Sequence, residues 1–146
     1  MVYLTIKDIK ARISAEKLNI ITQGDTDVLN NEELDAVSIV MSYLAHDYDT
    51  SLIFQPIDTP DYTMHPAIKR MTIDIMVYNM HNSKINPRQI PENIIALKRD
   101  ATDWLADVAD PETKTNAPFL PKKTFENEKR NNSFAWGSAP KRDNSY

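Results

Sequence analysis

A chain of 146 residues with no cysteine, and with 17 Lys and Arg against 21 Asp and Glu, is sized for one domain made in a reducing compartment. Disulfides, thiolate metal sites and thiol nucleophiles are excluded, and two glycines, Gly24 and Gly137, cannot build a Gly-rich phosphate loop. The charge is uneven: residues 1 to 109 carry 10 basic against 16 acidic side chains, whereas residues 110 to 146 carry 7 against 5, so an acidic body that repels phosphates precedes a weakly basic tail suited to an acidic neighbour.

The opening Met1-Val2-Tyr3-Leu4-Thr5 reaches Lys7 and Asp8 before any apolar run develops. Neither a signal peptide nor a membrane span is expected, and a soluble protein is. Thr5 with Asp8 three residues later marks a helix start, and Ile6, Ile9 and Ile13 then share one face, which predicts a short helix over about 6 to 13. Ser14 caps a second helix, Ala15 to about Thr22, with Leu18 and Ile21 on one side and Gly24 as its stop. The polar run from Gly24 to Asn31 reads as a solvated loop with Asn31 as the next cap. Its Asp25-x-Asp27 pair suggests calcium, but the sixth position is Asn30 and the twelfth is Ala36, where a calcium loop needs glycine and a bidentate glutamate.

From Glu32 the pattern is helical: Leu34, Val37, Met41, Leu44 and Tyr48 recur at three and four, and Glu32, Glu33 and Asp35 crowd the positive end of the dipole as exposed acids. Prolines 56, 60 and 66 make residues 49 to 66 a connecting loop. Pro66 then opens a helix to about Asn82 whose apolar residues, from Ile68 to Met80, fill more than one stripe, so it should be central. Pro91-Glu92 starts the last long helix, with Ile94, Leu97, Ala101, Trp104, Leu105 and Val108 on one face and Lys98, Arg99, Asp103 and Asp107 opposite, ending at Asp110-Pro111.

Beyond residue 110 the composition shifts to Pro, Lys, Asn and Ser with scattered aromatics. In isolation the segment is expected to be a disordered terminus; the sharper reading is that it orders on a protein partner, with Phe119, Leu120, Phe125, Phe134, Trp136 and Tyr146 as anchors, and deletion of residues 111 to 146 is expected to leave the body's stability nearly unchanged. No catalytic, cofactor or metal residue is assigned. His46, His65 and His81 have no partner at zinc-binding helical spacing, and His46-Asp47 sits in a polar helical turn. A DNA-reading helix would need a basic face, which neither long helix supplies.

Four stretches in this order resemble the Mu-like prophage connector family and, more broadly, the adaptor proteins beneath the portal of tailed phages. They are Tyr3-Leu4-Thr5 continuing through Ile13, the helix ending in Ser42-Tyr43-Leu44-Ala45, the run from Pro66 to Ile75 with Tyr78 beyond it, and Ala101-Thr102-Asp103-Trp104-Leu105-Ala106-Asp107-Val108. The likeness covers about residues 1 to 109; the loop between residues 48 and 66 and the aromatic tail are longer than the family's. It implies an all-α fold, a small bundle of four to five helices over residues 1 to 110, with an extended partner-binding tail over 111 to 146. It implies no enzyme, but a virion protein of the phage neck. Copies would form a ring, dodecameric if the resemblance carries through, between the portal protein and tail or neck proteins, with DNA passing through the channel without specific binding and no membrane contact. A small helical phage regulator that binds a host protein or nucleic acid is the alternative.

Overall fold

The computed structural model describes residues 1–84, 89–110, 112 and 117–124. Among these, six helices occur in the order α1 (Ile6–Lys10), α2 (Ala15–Thr22), α3 (Thr26–Leu44), α4 (Thr50–Ile53), α5 (Pro66–Lys84) and α6 (Glu92–Ala109). The fold is all-α. The one strand-like pairing among the described residues is a single antiparallel bridge between Tyr48 and Lys122.

The start of α1 obeys its sequence signal closely. The Asp8 N–H donates to the Thr5 hydroxyl at 3.2 Å and the Thr5 N–H donates to the Asp8 carboxylate at 2.9 Å, a reciprocal capping box. The helix ends at Lys10, sooner than the isoleucine periodicity predicts. Ser14 must take an extended conformation (φ −61°, ψ 148°) to cap α2 through the Lys17 N–H, so residues 11 to 13 form the turn between the two helices. Ile9 and Ile13 are still buried, and Leu18 and Ile21 join them from α2. Gln23 (φ 52°) and Gly24 (φ 77°) then reverse the chain through the left-handed region, which is a helix end that glycine eases.

Two expectations for α3 need correction. Residues 26 to 31 are helix and not a solvated loop, because Asp25, and not Asn31, is the cap: its side chain accepts the Asp27 N–H at 2.9 Å. The added turn carries Leu29 into the core. The buried stripe is also rotated from the one predicted: Leu29, Glu33, Ala36, Val37, Val40 and Leu44 face inward, while Leu34 is 47% exposed. Glu32 and Glu33, expected as exposed acids, are buried, at 9% and 0% exposure. Glu33 has a reason to be inside: its two oxygens accept the N–H groups of Val2 (2.6 Å), Tyr3 (3.0 Å) and Leu4 (2.7 Å). One carboxylate thereby satisfies three consecutive amides that no helix or sheet serves. Glu32 accepts from the Ser83 hydroxyl at 2.7 Å, tying α3 to the end of α5.

The proline-bearing connection is less open than its composition suggests. Asp49 is buried and caps the short helix α4 through the Ser51 N–H at 3.1 Å. Ile53, Phe54 and Met64 are buried, the Tyr62 hydroxyl donates to the Ile53 carbonyl, and the Ile57 N–H donates to the Val2 carbonyl at 2.8 Å. The segment closes over the amino terminus.

Helix α5 is central, as its near-continuous apolar pattern predicts. Ile68, Ile73, Ile75, Met76, Val77 and Met80 are buried together with Thr72, Asp74 and His81, and α2, α3 and α6 all pack against it. Its internal hydroxyl and imidazole are satisfied locally: Thr72 donates to the Ile68 carbonyl at 2.8 Å, and His81 Nδ1 pairs with the Val77 carbonyl at 2.8 Å. Helix α6 buries Ala101, Leu105 and Val108, with Ile94 and Trp104 partly covered, in keeping with its predicted face.

Candidate functional site

The surface features with the most structure behind them gather where α5 begins and α6 ends. His65, the residue before α5, stacks on Phe119 with ring centroids 3.9 Å apart and planes 15° apart, and Trp104 of α6 lies 6.4 Å from the same ring, nearly parallel to it. The neighbours of Phe119 are held by the body. Ala117 and Leu120 are buried, the Asp49 N–H donates to the Pro121 carbonyl at 2.8 Å, and the Lys123 N–H donates to the Asp47 carbonyl at 3.0 Å. Residues 117–124 are therefore a strap across the body and not a free extension. Deleting everything after residue 110 would strip Ala117 and Leu120 from the core, so the expectation that this leaves stability unchanged does not stand.

Of the six anchors expected from sequence, Leu120 is used within the chain's own core, and Phe119 is divided between a stacked face and an exposed one at 42% exposure. Phe125, Phe134, Trp136 and Tyr146 lie outside the described residues. Sequence reasoning treats all six alike, because aromatic and leucine spacing alone cannot tell an intrachain contact from an intermolecular one.

Beside the start of α5, a depression of about 250 Å³ is lined by Asp8, Ala11, Arg12, Pro66, Lys69, Arg70 and Ile73. Lys69 pairs with Asp8 at 3.1 Å, and Arg12 and Arg70 reach Asp74 at 3.0 and 3.7 Å. The two carboxylates are tuned in opposite directions. Burial pushes the Asp74 carboxyl above its ordinary value, and the two guanidiniums offset this only in part. Burial acts on Asp8 as well, but the Thr5 hydroxyl and N–H and the Lys69 ammonium outweigh it and hold Asp8 below its ordinary value. Three cations against two carboxylates leave this flank positive. The outer face of α6 leans the other way: Asp100, Asp103 and Asp107 are exposed there, as sequence predicts for the last two, against the exposed Arg99.

The three histidines are engaged separately. His46 is largely exposed and pairs with its neighbour Asp47 at 2.8 Å, His65 Nδ1 accepts the Ala67 N–H at 3.2 Å beneath Phe119, and His81 is buried in α5. Among the described residues, no group of three His, Asp or Glu side chains is placed to hold a metal ion, no buried side-chain nitrogen or oxygen lacks a hydrogen bond, and no helix is long and apolar enough to cross a membrane.

Neither a curated protein sequence nor a solved structure matches this chain. A family model does, the one described as Bacteriophage Mu, Gp36, over residues 3–133. The match runs past the bundle and through the strap, further than the resemblance over residues 1 to 109 seen in the sequence, so the segment that returns to the body lies within the family's own extent. The chain belongs to the bacteriophage Mu Gp36 family.

Proposed function

We propose that this chain is a structural subunit of the virion, a head-to-tail connector that forms a ring in the phage neck between the portal protein and tail or neck proteins, and that it acts without catalysis. The reading is carried by one observation: in a chain of a phage family, a helical body leads into a strap whose path is fixed as far as residue 124. That arrangement suits a subunit that presents residues 125–146 to a partner from a defined exit point. Phe125, Phe134, Trp136 and Tyr146 are the anchors this reading retains. A net acidic body suits a channel through which DNA passes without being held. Glu32 and Glu33 take no part in such a lining, being turned inward.

Native mass measurement of the purified chain, alone and with the portal protein of its own phage, tests the proposal. Multimers of the chain or a complex with the portal are expected. A monomer that ignores the portal and binds duplex DNA or a host protein tightly would replace the connector with a regulator. Deletion of residues 125–146 should keep the unfolding temperature of the body and abolish incorporation into particles; normal incorporation would remove the anchors from the proposal.

A further inference from the structure

Charge on the body is segregated. Residues 6–17 and 66–74, joined through the Lys69–Asp8 and Arg12–Asp74 pairs, carry six cations (Lys7, Lys10, Arg12, Lys17, Lys69, Arg70) against three acids (Asp8, Glu16, Asp74). The rest of residues 1 to 109 carries four cations against thirteen acids. A protein with a net negative body thus keeps one positive flank, and that flank holds the depression between α1 and α5, with Ala11, Pro66 and Ile73 between its charges.

The helix dipoles sharpen both poles. The first turn of α5 contains no acid, and Lys69 and Arg70 come directly upon it, at the end of the helix that is already positive. The last turn of α6, at the end that is already negative, contains no base and holds Asp107, and Asp103 lies one turn before it. Each helix therefore carries, at that end, the charge its own dipole disfavours. A contact that brings one pole onto the other adds a favourable charge interaction to the pairs each side already makes.

We propose that the positive depression at Arg12, Lys69 and Arg70 receives the outer, acidic face of α6 of a second copy of this chain, with Asp100 and Asp103 as the arriving charges. This rests on the ring reading above and assigns its two surfaces. The fold gives a further reason for a ring: Phe119 lies between His65 and Trp104, so the start of α5 and the turn of α6 that carries Asp103 stand at about the same level. Two complementary patches at the same level join neighbours with little rise along an axis, and a heterologous contact of that kind closes into a ring more readily than it climbs into a filament. Opposite charges across the contact fix its register and disfavour pairing of like faces.

Charge exchange tests the assignment. Lys7→Glu with Arg70→Glu reverses the positive flank, and Asp100→Lys with Asp103→Lys reverses the acidic one; all four residues are exposed, and circular dichroism with thermal unfolding verifies that each variant folds. By analytical sedimentation at low salt, the wild type is expected to form multimers that weaken by at least tenfold in affinity near 1 M salt, where screening acts within about 3 Å. Each variant alone is expected to be monomeric, and an equal mixture is expected to associate, since alternating copies restore opposite charge at every contact. Wild-type multimers that neither variant disturbs would overturn this assignment and leave the ring reading intact. A wild type that stays monomeric alone and with its portal protein would overturn both. Duplex DNA captured by the wild type and lost only on reversing Lys7 and Arg70 would give the positive flank to nucleic acid instead.

Discussion

At Glu33 a single carboxylate decides how the amino-terminal segment lies. It is fully buried and accepts three successive backbone amides, an arrangement in which charge-assisted hydrogen bonds replace the water those amides lose. Removing the acceptor leaves the buried Leu4 amide and the part-buried Val2 and Tyr3 amides unmatched, so Glu33→Ala is expected to destabilise the fold by about 3 kcal/mol in chemical denaturation, with Glu33→Gln intermediate because its amide keeps one accepting oxygen. Equal stability of the alanine variant would show that the segment finds its partners elsewhere. The two carboxylates at the α1–α5 junction have opposite acid responses. Asp8 is held below 3.8 in the folded chain, so its contribution is present above the unfolded value and is lost as the pH falls through the folded one. The advantage of the wild type over Asp8→Asn, measured by denaturant midpoints, should therefore shrink as the pH is lowered below about 4. Asp74 is raised above 3.8, so its contribution is present below the unfolded value and lost as the pH rises through the folded one. The difference between the wild type and Asp74→Asn should move the other way over the same range, in favour of the wild type in acid.

Among the elements, the strap at 117–124 changes how the carboxyl-terminal third is understood. Leu120 is at 5% exposure and belongs to the same core cluster as α5 and α6, whereas Phe119 keeps 42% of its surface exposed. Leu120→Ala should cost about 2 to 4 kcal/mol, in the range for truncating a buried leucine. Phe119→Ala should cost about 1 kcal/mol, since only one face of the ring is covered. Thermal or denaturant unfolding of the two variants side by side checks the order. A larger effect at Phe119 would mean that the His65 and Trp104 stack, and not the buried leucine, holds the strap.

For the whole molecule, the packing predicts a gradient of local stability. Helix α5 touches α2, α3 and α6 and is apolar or internally satisfied on nearly every side, while α1 and α2 are short and carry exposed residues such as Ile6 and Ile20. Hydrogen exchange should therefore show the amides of residues 72 to 80 opening only with global unfolding, and those of α1 and α2 exchanging through a smaller opening. Equal protection across all the helices would mean that the amino-terminal hairpin is fused to the core more firmly than its contacts suggest. At the same scale the segregation of charge acts on encounters between molecules, because a dipolar body orients a neighbour before contact is made.

Local sequence was enough for the helical class, the caps at Thr5 and Ser14, the central place of α5 and the inner face of α6, because each depends on short-range periodicity and on side chains that bond to their own turn. It misplaced the start of α3, where polar residues capable of a loop also form a good first turn once Asp25 caps them and Leu29 is given a core to enter. Whether Glu33 points outward as a charge or inward as an acceptor depends on which amides the amino terminus brings to it from about thirty positions away, and no local pattern encodes that. The positive depression is equally illegible along the chain, since Arg12, Lys69 and Arg70 become one flank only when Asp8 and the turn after α1 are paired to the first turns of α5. The return of Leu120 to the core was decided the same way, by a long-range contact whose free energy comes from apolar surface contributed by elements distant in sequence.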